Sequence, residues 1–313
     1  MYGKSKATIV GKISIATIVC CAWTGLAHAQ TTQPAVAKHY TFGMLLSTLN
    51  NPYFVSIKKA AQAEARTLGV SLLIEDANNS STTQSNQIDT LLARKVDALL
   101  VNPTNAKSLI PAIRKANAAH VPVVFIDRKT DGGKAIAYFA SDNVQAGAQA
   151  CRYIVRRLHG KGNIAILLGI PGASATNERS AGCDRVLAKQ PGIKVVARQT
   201  AKFSRQDGLS VMRDILIAHP TLNAVYAENG QMAIGAMHAI EAAGKQKNVF
   251  ITMIGSGSTE QTALIRQGHI ALSVAQQPGV MAAMGVEAAY NKLKSGMLFV
   301  PVPLKMDMAP RAK

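Results

Sequence analysis

Tyr40-Thr41-Phe42-Gly43-Met44-Leu45-Leu46 runs straight into Ser47-Thr48-Leu49-Asn50-Asn51-Pro52-Tyr53-Phe54, and the reading of this stretch decides the fold. The apolar run has the length and composition of a buried strand. Beyond it Phe54, Ile57, Ala61, Ala65 and Leu68 recur at helical spacing, and Gly69 supplies a stop. The polar residues between are therefore a loop at the carboxyl end of a strand, where open α/β sheets place their ligands. Ser47 and Asn51 can donate and accept hydrogen bonds, and Tyr53 and Phe54 offer flat rings. That combination suits a sugar, which carries hydroxyls at its edge and C–H patches on its faces. The same residues also suit a plain helix start, with Pro52 at the first helical position and the rings in the core. This stretch alone leaves both readings open.

Outward from it, strands and helices alternate. Strands read at 40–46, 70–75, 98–101 and 121–126, with helices near 52–68, 83–94 and 106–118. A short strand at 136–139 enters Ala140-Ser141-Asp142-Asn143, and the rhythm restarts. Further strands read at 164–168, 195–198, 224–227, 250–254 and 270–275. Helices read near 144–158, 174–189, 204–218, 231–243, 259–266 and 280–294. Apolar strands alternating with helices predict parallel sheets covered on both faces, in two α/β halves of similar size. The 313 residues, 48 % apolar and 17 % charged, suffice for two packed cores.

Residues 1–29 read as an export signal rather than as part of the fold. Lys4, Lys6 and Lys12 form a basic start, 13–23 is apolar, and Ala27-His28-Ala29 is a small-x-small cleavage site. The apolar run is too short for a retained spanning helix. A soluble periplasmic protein cleaved after Ala29 is expected, with 30–39 as a leader. Removing those three lysines leaves 32 basic against 17 acidic residues, a net charge of +15. The basic residues are scattered. The densest group, Arg152, Arg156, Arg157, His159 and Lys161, lacks aromatic interleaving and matches no nucleic-acid motif, so no nucleic-acid partner is expected. Cys151 and Cys183 remain after cleavage, in an oxidising compartment where a pair can bridge; spacing alone leaves a disulfide open.

Polar groups end the strands. Ser47 follows the first, Asn102 the third and Asp127-Arg128 the fourth; in the second half Asn229 and Gln276 hold such places. Arg179 lies in the helix after Gly169-Ile170-Pro171-Gly172, and Phe203 follows Gln199-Thr200-Ala201-Lys202. In parallel sheets these ends converge on one edge. Asp127 can accept from two adjacent hydroxyls while Arg128 donates in a fixed fork. Against this stand simpler roles: Asp127 capping a turn, Asn102 closing an Asx turn before Pro103, Gln276 ending a strand. The seven histidines show no metal spacing, and there is no Cys-x-x-Cys, nucleophile elbow or P-loop lysine. No cofactor, no metal and no enzymatic activity are expected.

Seven segments fall in one recognisable order: Ser47 to Phe54, Val101-Asn102-Pro103-Thr104, Ile126-Asp127-Arg128, Ala140-Ser141-Asp142-Asn143, Asn177-Glu178-Arg179, Ala227-Glu228-Asn229 and Ala275-Gln276-Gln277-Pro278. From about Tyr40 to about Met306 the chain resembles the periplasmic ribose-binding proteins, type I sugar receptors of ABC transporters. The resemblance implies two doubly wound parallel-sheet domains joined by a three-segment hinge. The crossings would lie near Ser141–Asp142, Gln276–Gln277 and Pro303–Leu304. The domains would be 40–141 plus 277–303, and 142–276 plus 304–313. Tyr53 and Phe54 would stack on one face of a sugar and Phe203 on the other. Asn51, Asn102, Asp127, Arg128, Arg179, Asn229 and Gln276 would hold its hydroxyls and ring oxygen. Ser47, Ser141, Asp142 and Gln277 would support the site or the hinge. A monomer that closes on its ligand and docks on an inner-membrane permease is implied.

One departure stands out. Where the family usually has Gly-Phe-Asp-Gly, this chain has Gly255-Ser256-Gly257-Ser258, so an aromatic ring and a carboxylate are missing. With Arg128 and Arg179 opposed by Asp127 alone, the pocket would carry one excess positive charge, costly to bury unpaired. Glu228 or another acid turning inward would remove it. So would screening by water, or an anionic sugar derivative as ligand. Two other roles fit the fold. A transcription regulator needs a DNA-binding segment of about 60 residues ahead of the first strand, whereas the reading of 1–39 as signal and leader predicts none. A sensor subunit serving a chemoreceptor or kinase would share the whole sequence pattern of a transport receptor.

Overall fold

The computed structural model describes residues 38–296 and 307–310. The export signal, most of the leader and the crossing expected near Pro303–Leu304 lie outside the described residues.

The opening stretch forms β1 (Thr41–Leu46) and α1 (Pro52–Leu68). Asn51 caps the helix through Oδ1, which accepts from the Tyr53 amide at 3.0 Å, and Gly69 closes it in the left-handed conformation. Phe54, Ile57, Ala61 and Ala65 form the buried face. Burying the two large side chains contributes roughly 3–6 kcal/mol. Four more strands follow: β2 (Ser71–Asp76), β3 (Ala98–Val101), β4 (Val123–Ile126) and β5 (Ala137–Phe139). They join β1 in an all-parallel sheet of order β2-β1-β3-β4-β5, with α2 (Ser81–Ala93) and α3 (Ile110–Ala118) connecting β2 to β3 and β3 to β4.

Between Phe139 and Asn143 the chain leaves this sheet. Helix α4 (Asn143–Arg157) puts Ala146, Ala150, Cys151 and Ile154 into a different core, with Ile164, Tyr226 and Val274. A second sheet follows, made of β6 (Gly162–Leu168), β7 (Ile193–Thr200), β8 (Ala224–Ala227), β9 (Phe250–Gly255) and β10 (Leu272–Ala275). Its helices are α5 (Ser174–Leu187), α6 (Arg205–Ala218), α7 (Gly230–Ala242) and α8 (Thr259–Arg266). After β10 the chain returns: α9 (Pro278–Ser295) packs Met281, Ala282, Val286 and Ala289 against Phe42, Val124, Ile126 and Phe139 of the first lobe. The last described segment, β11 (Asp307–Pro310), pairs antiparallel with β10, giving the order β11-β10-β9-β8-β6-β7.

Helices α4 and α5 lie in very close contact. A Cβ on Gly147 would collide with the Arg179 carbonyl, and one on Gly182 with the Val144 carbonyl, so only glycine lets these backbones meet. The Cys151–Cys183 disulfide ties the same pair, with Cα atoms 5.3 Å apart.

Several element ends differ from the sequence reading by one or two residues, as where the strand read at 195–198 runs over Ile193–Thr200; two differences are larger. Helix α3 begins at Ile110, not near 106. The Asn105 side chain accepts from the amides of Lys107 and Ser108, and the Ala106 amide donates to the Gly172 carbonyl of the other lobe, so this segment spends its donors outside a helix. Strand β11 went unread, because Asp307-Met308-Ala309-Pro310 is too short to show a period and its pairing is wholly nonlocal.

Candidate ligand-binding cleft

The carboxyl ends of the two sheets face each other across a cavity of about 310 Å3. The first lobe contributes Asn51, Tyr53 and Phe54 from the start of α1, and Asp127 and Arg128 from beyond β4. The second lobe contributes Arg179 from α5, Phe203 from beyond β7, Asn229 from beyond β8 and Ser256 from beyond β9; Gln276 enters from beyond β10. The lobes also touch directly. The Ala106 amide donates to the Gly172 carbonyl at 2.9 Å, and the Lys129 amide donates to Ser174 Oγ at 3.1 Å.

Asp127 is the hub of the first-lobe wall. Its backbone is left-handed, at φ 64°, and its amide is anchored on the Phe139 carbonyl at 2.8 Å. The conformation is uncommon outside glycine, although Asp tolerates it better than most. It turns the carboxylate along the sheet edge. There Oδ1 accepts from the Tyr53 hydroxyl at 2.7 Å and Oδ2 from Asn102 Nδ2 at 3.2 Å. Burial, then the charge of Asp127, pushes the Tyr53 phenol well above its ordinary value, so the proton stays on the donor. The Tyr53 oxygen in turn accepts from Gln276 Nε2 at 3.1 Å.

Asn102 is expected among the ligand contacts, but it stands behind Asp127 and does not line the cavity. Its Nδ2 also donates to the Ile126 carbonyl, while its Oδ1 accepts from the amide and hydroxyl of Ser47. Asn102 thus holds the carboxylate in place, and Ser47 holds Asn102.

Arg128 is buried at 3 % exposure. Its guanidinium carbon lies 5.1 Å from the Phe54 ring centre and 5.2 Å from that of Phe203, so a cation lies between the rings expected to flank a sugar. Its Nε stands 3.7 Å from Asp127 Oδ2, and Nε and Nη1 have no hydrogen-bond partner. Burial draws its pKa down; Asp127 opposes this and the like charge of Arg179 adds to it.

On the second-lobe wall Arg179 donates to Asn143 Oδ1 at 2.8 Å and to the Glu228 carbonyl at 2.6 Å. Both acceptors are neutral. The Glu228 carboxylate faces away from the cavity, toward the Gly169 amide at 2.8 Å and Ser180 Oγ at 2.6 Å. Burial pushes it up to about 7 against the pull of those two donors. Glu228 therefore does not turn inward to face Arg128. Asn229 caps α7 by accepting from the Met232 amide and holds the Phe203 carbonyl through Nδ2.

Elsewhere, Asp142 caps α4 and Gln277 immediately precedes α9. Ser141 Oγ is buried without a partner. Gly257 has φ 68°, does not line the cavity and has open space where a side chain would begin. Sequence reading missed Asn143, which orients Arg179, and Gln261, whose Oε1 accepts from the Ser256 amide at 2.7 Å. Ser258-x-x-Gln261 before a helix is a capping-box pattern and was a usable signal. Asn143 had none beyond its place at the crossing. Among the described residues no three metal-ligating side chains cluster.

Two lobes wound alike, closing on one polar cavity at their strand ends, define a family, and the description of the periplasmic binding protein domain matches residues 42–297. The chain belongs to the periplasmic binding protein family. It is 37 % identical over 307 residues to the ribose import binding protein of Bacillus subtilis, covering 97 % of this chain and 99 % of that one. The Escherichia coli ribose import binding protein is 36 % identical over 274 residues, covering 88 % and 91 %. In three dimensions this periplasmic binding protein superposes on the Caulobacter myo-inositol binding protein, solved with myo-inositol, at a TM-score of 0.84. Identity there is 28 %, over 88 % of this chain and 94 % of that one.

Proposed function

We propose that this protein captures a ribose-like monosaccharide or polyol between its lobes in the periplasm and delivers it, as a monomer, to an inner-membrane ABC permease without altering it chemically. The observation that carries the reading is the cavity itself. A fixed carboxylate, two buried guanidiniums, amide side chains and aromatic rings converge on about 310 Å3, room for a small polyhydroxylated ligand. Family membership and the ribose import relatives support the same role. Asn51, Tyr53, Asp127, Arg128, Arg179, Asn229 and Gln276 are the proposed polar contacts, with Phe54 and Phe203 closing the faces. The proposed lobes are 40–141 plus 277–303 and 142–276 plus 304–313, with the hinge in the strands between them.

Thermal unfolding of residues 30–313 against neutral pentoses, hexoses, polyols, sugar acids and phosphorylated sugars tests this. A ligand at about a hundredfold its Kd adds roughly 2.7 kcal/mol, a plain upward shift. Recovery of the ligand unchanged after long incubation tests the absence of turnover. One observation favours a second reading, an anionic sugar derivative: Arg128 and Arg179 face the cavity with Asp127, while Glu228 is directed elsewhere and the other acid on the lining, Glu260, is paired with Arg205 at 2.7 Å. Shifts confined to the acids would select it.

A further inference from the structure

The Tyr53 hydroxyl behaves as an alcohol of a bound sugar would. It stands on the cavity wall, donates to Asp127 Oδ1 and accepts from Gln276 Nε2. The other carboxylate oxygen of Asp127 already accepts from Asn102. The hydroxyl has little freedom to retreat. The Asn51 cap fixes the first turn of α1, and the Tyr53 ring meets the Phe54 ring edge-on, with centres 5.2 Å apart. Displacing it would break two hydrogen bonds and strand a phenol among buried groups, whereas a ligand that leaves it in place loses nothing.

We propose that Tyr53 is a specificity-determining residue whose hydroxyl takes the place of one ligand hydroxyl between Asp127 and Gln276, so that the site selects a monosaccharide or polyol carrying hydrogen at the carbon that faces this pair. The proposal rests on the reading of the cleft as a polyol receptor. The high pKa of the phenol is consistent with it, since a protonated oxygen both donates and accepts as an alcohol does. A wall built this way discriminates by refusal: an additional hydroxyl at that carbon meets the place that the Tyr53 oxygen already occupies.

The test is calorimetric titration of the native protein and Tyr53→Phe with D-ribose, xylitol and myo-inositol, then with the monodeoxy analogues of whichever parent binds tightest. In the native protein one deoxy analogue should bind at least as tightly as its parent. In Tyr53→Phe that analogue should bind about tenfold or more weakly than the parent, because Asp127 and Gln276 now call for the ligand's own hydroxyl. A native protein that penalises every hydroxyl deletion overturns the proposal even if the variant fails to fold, and so does an unchanged rank order in a folded variant. Those results leave the polyol-receptor reading standing. If the native protein binds neither these three nor any other neutral pentose, hexose or polyol, that reading falls and takes the proposal with it.

Discussion

The two walls of the cleft are built on different principles. On the first-lobe side, charged and polar groups hold one another: Ser47 fixes Asn102, Asn102 and Tyr53 fix Asp127, and Asp127 stands beside Arg128. On the second-lobe side, side chains are held by neutral backbone and amide groups, as Arg179 is by Asn143 and the Glu228 carbonyl. Beyond β9 that wall runs through Ser256 and Ser258 to Gln261, with Gly257 off the cavity and open space where its side chain would begin. The first wall is a closed network in which each member's position depends on the others. The second is a frame of helix caps and close helix packing. A network loses much when one member goes, whereas a frame loses stability before it loses chemistry.

Asp127→Ala attacks the network and should have the largest effect. It removes the main acceptor and leaves the buried Arg128 charge unpaired, so ligand affinity should fall on the order of a thousandfold, about 4 kcal/mol. Titration calorimetry reads this directly, and near-native affinity would mean that the wall is not a ligand surface. Replacing Cys151 and Cys183 together by alanine attacks the frame. The crosslink spans 32 residues, and losing it should cost about 3.5 kcal/mol of stability in denaturant unfolding. Hydrogen exchange should quicken in α4 and α5 and not in α1 and α9; equal quickening in both lobes would erase the distinction.

Glu228 gives the frame a pH signature. Its folded pKa, about 7, lies above the ordinary 4.5. The fold thus favours the protonated acid, and the stability this contributes is complete below about 4.5 and is lost as pH rises through about 7. The whole change is about 3 kcal/mol. The melting temperature of Glu228→Gln, relative to the native protein, should therefore rise between about pH 4 and about pH 8; parallel curves would contradict the assignment. The smallest effect is expected of Gly257→Asp. Aspartate accepts a positive φ at modest cost, and affinity for a neutral pentose should rise by less than about tenfold. No gain at all would mean that the loop path, as well as the missing carboxylate, sets this loop apart.

Much of this was legible along the chain. Helices α1 and α8 have the bounds their periodicity predicts, as do β3 and β8, because each is bracketed by strong local signals. Nine of the ten residues read as ligand contacts line the cavity, since parallel strands carry their end residues to one edge. Asn102 is the exception, and its sequence position resembles that of Asp127. What separates them is the left-handed turn at Asp127, which directs one carboxylate to the edge, while Asn102 continues behind it. Strand β11 was illegible because nothing within Asp307–Pro310 shows which strand it will join.

The sequence by itself determined the alternation of strands and helices, the division into two α/β lobes and the polar residues at the strand ends. These follow from periodicity and capping, which act between residues a few positions apart. Only the tertiary structure decided which of those polar groups stay available and which spend themselves on one another. Tyr53 meets Asp127 across 74 residues and Gln276 across 223. A buried donor takes whichever acceptor the packed sheets bring within about 3 Å, and no local pattern records which acceptor that will be.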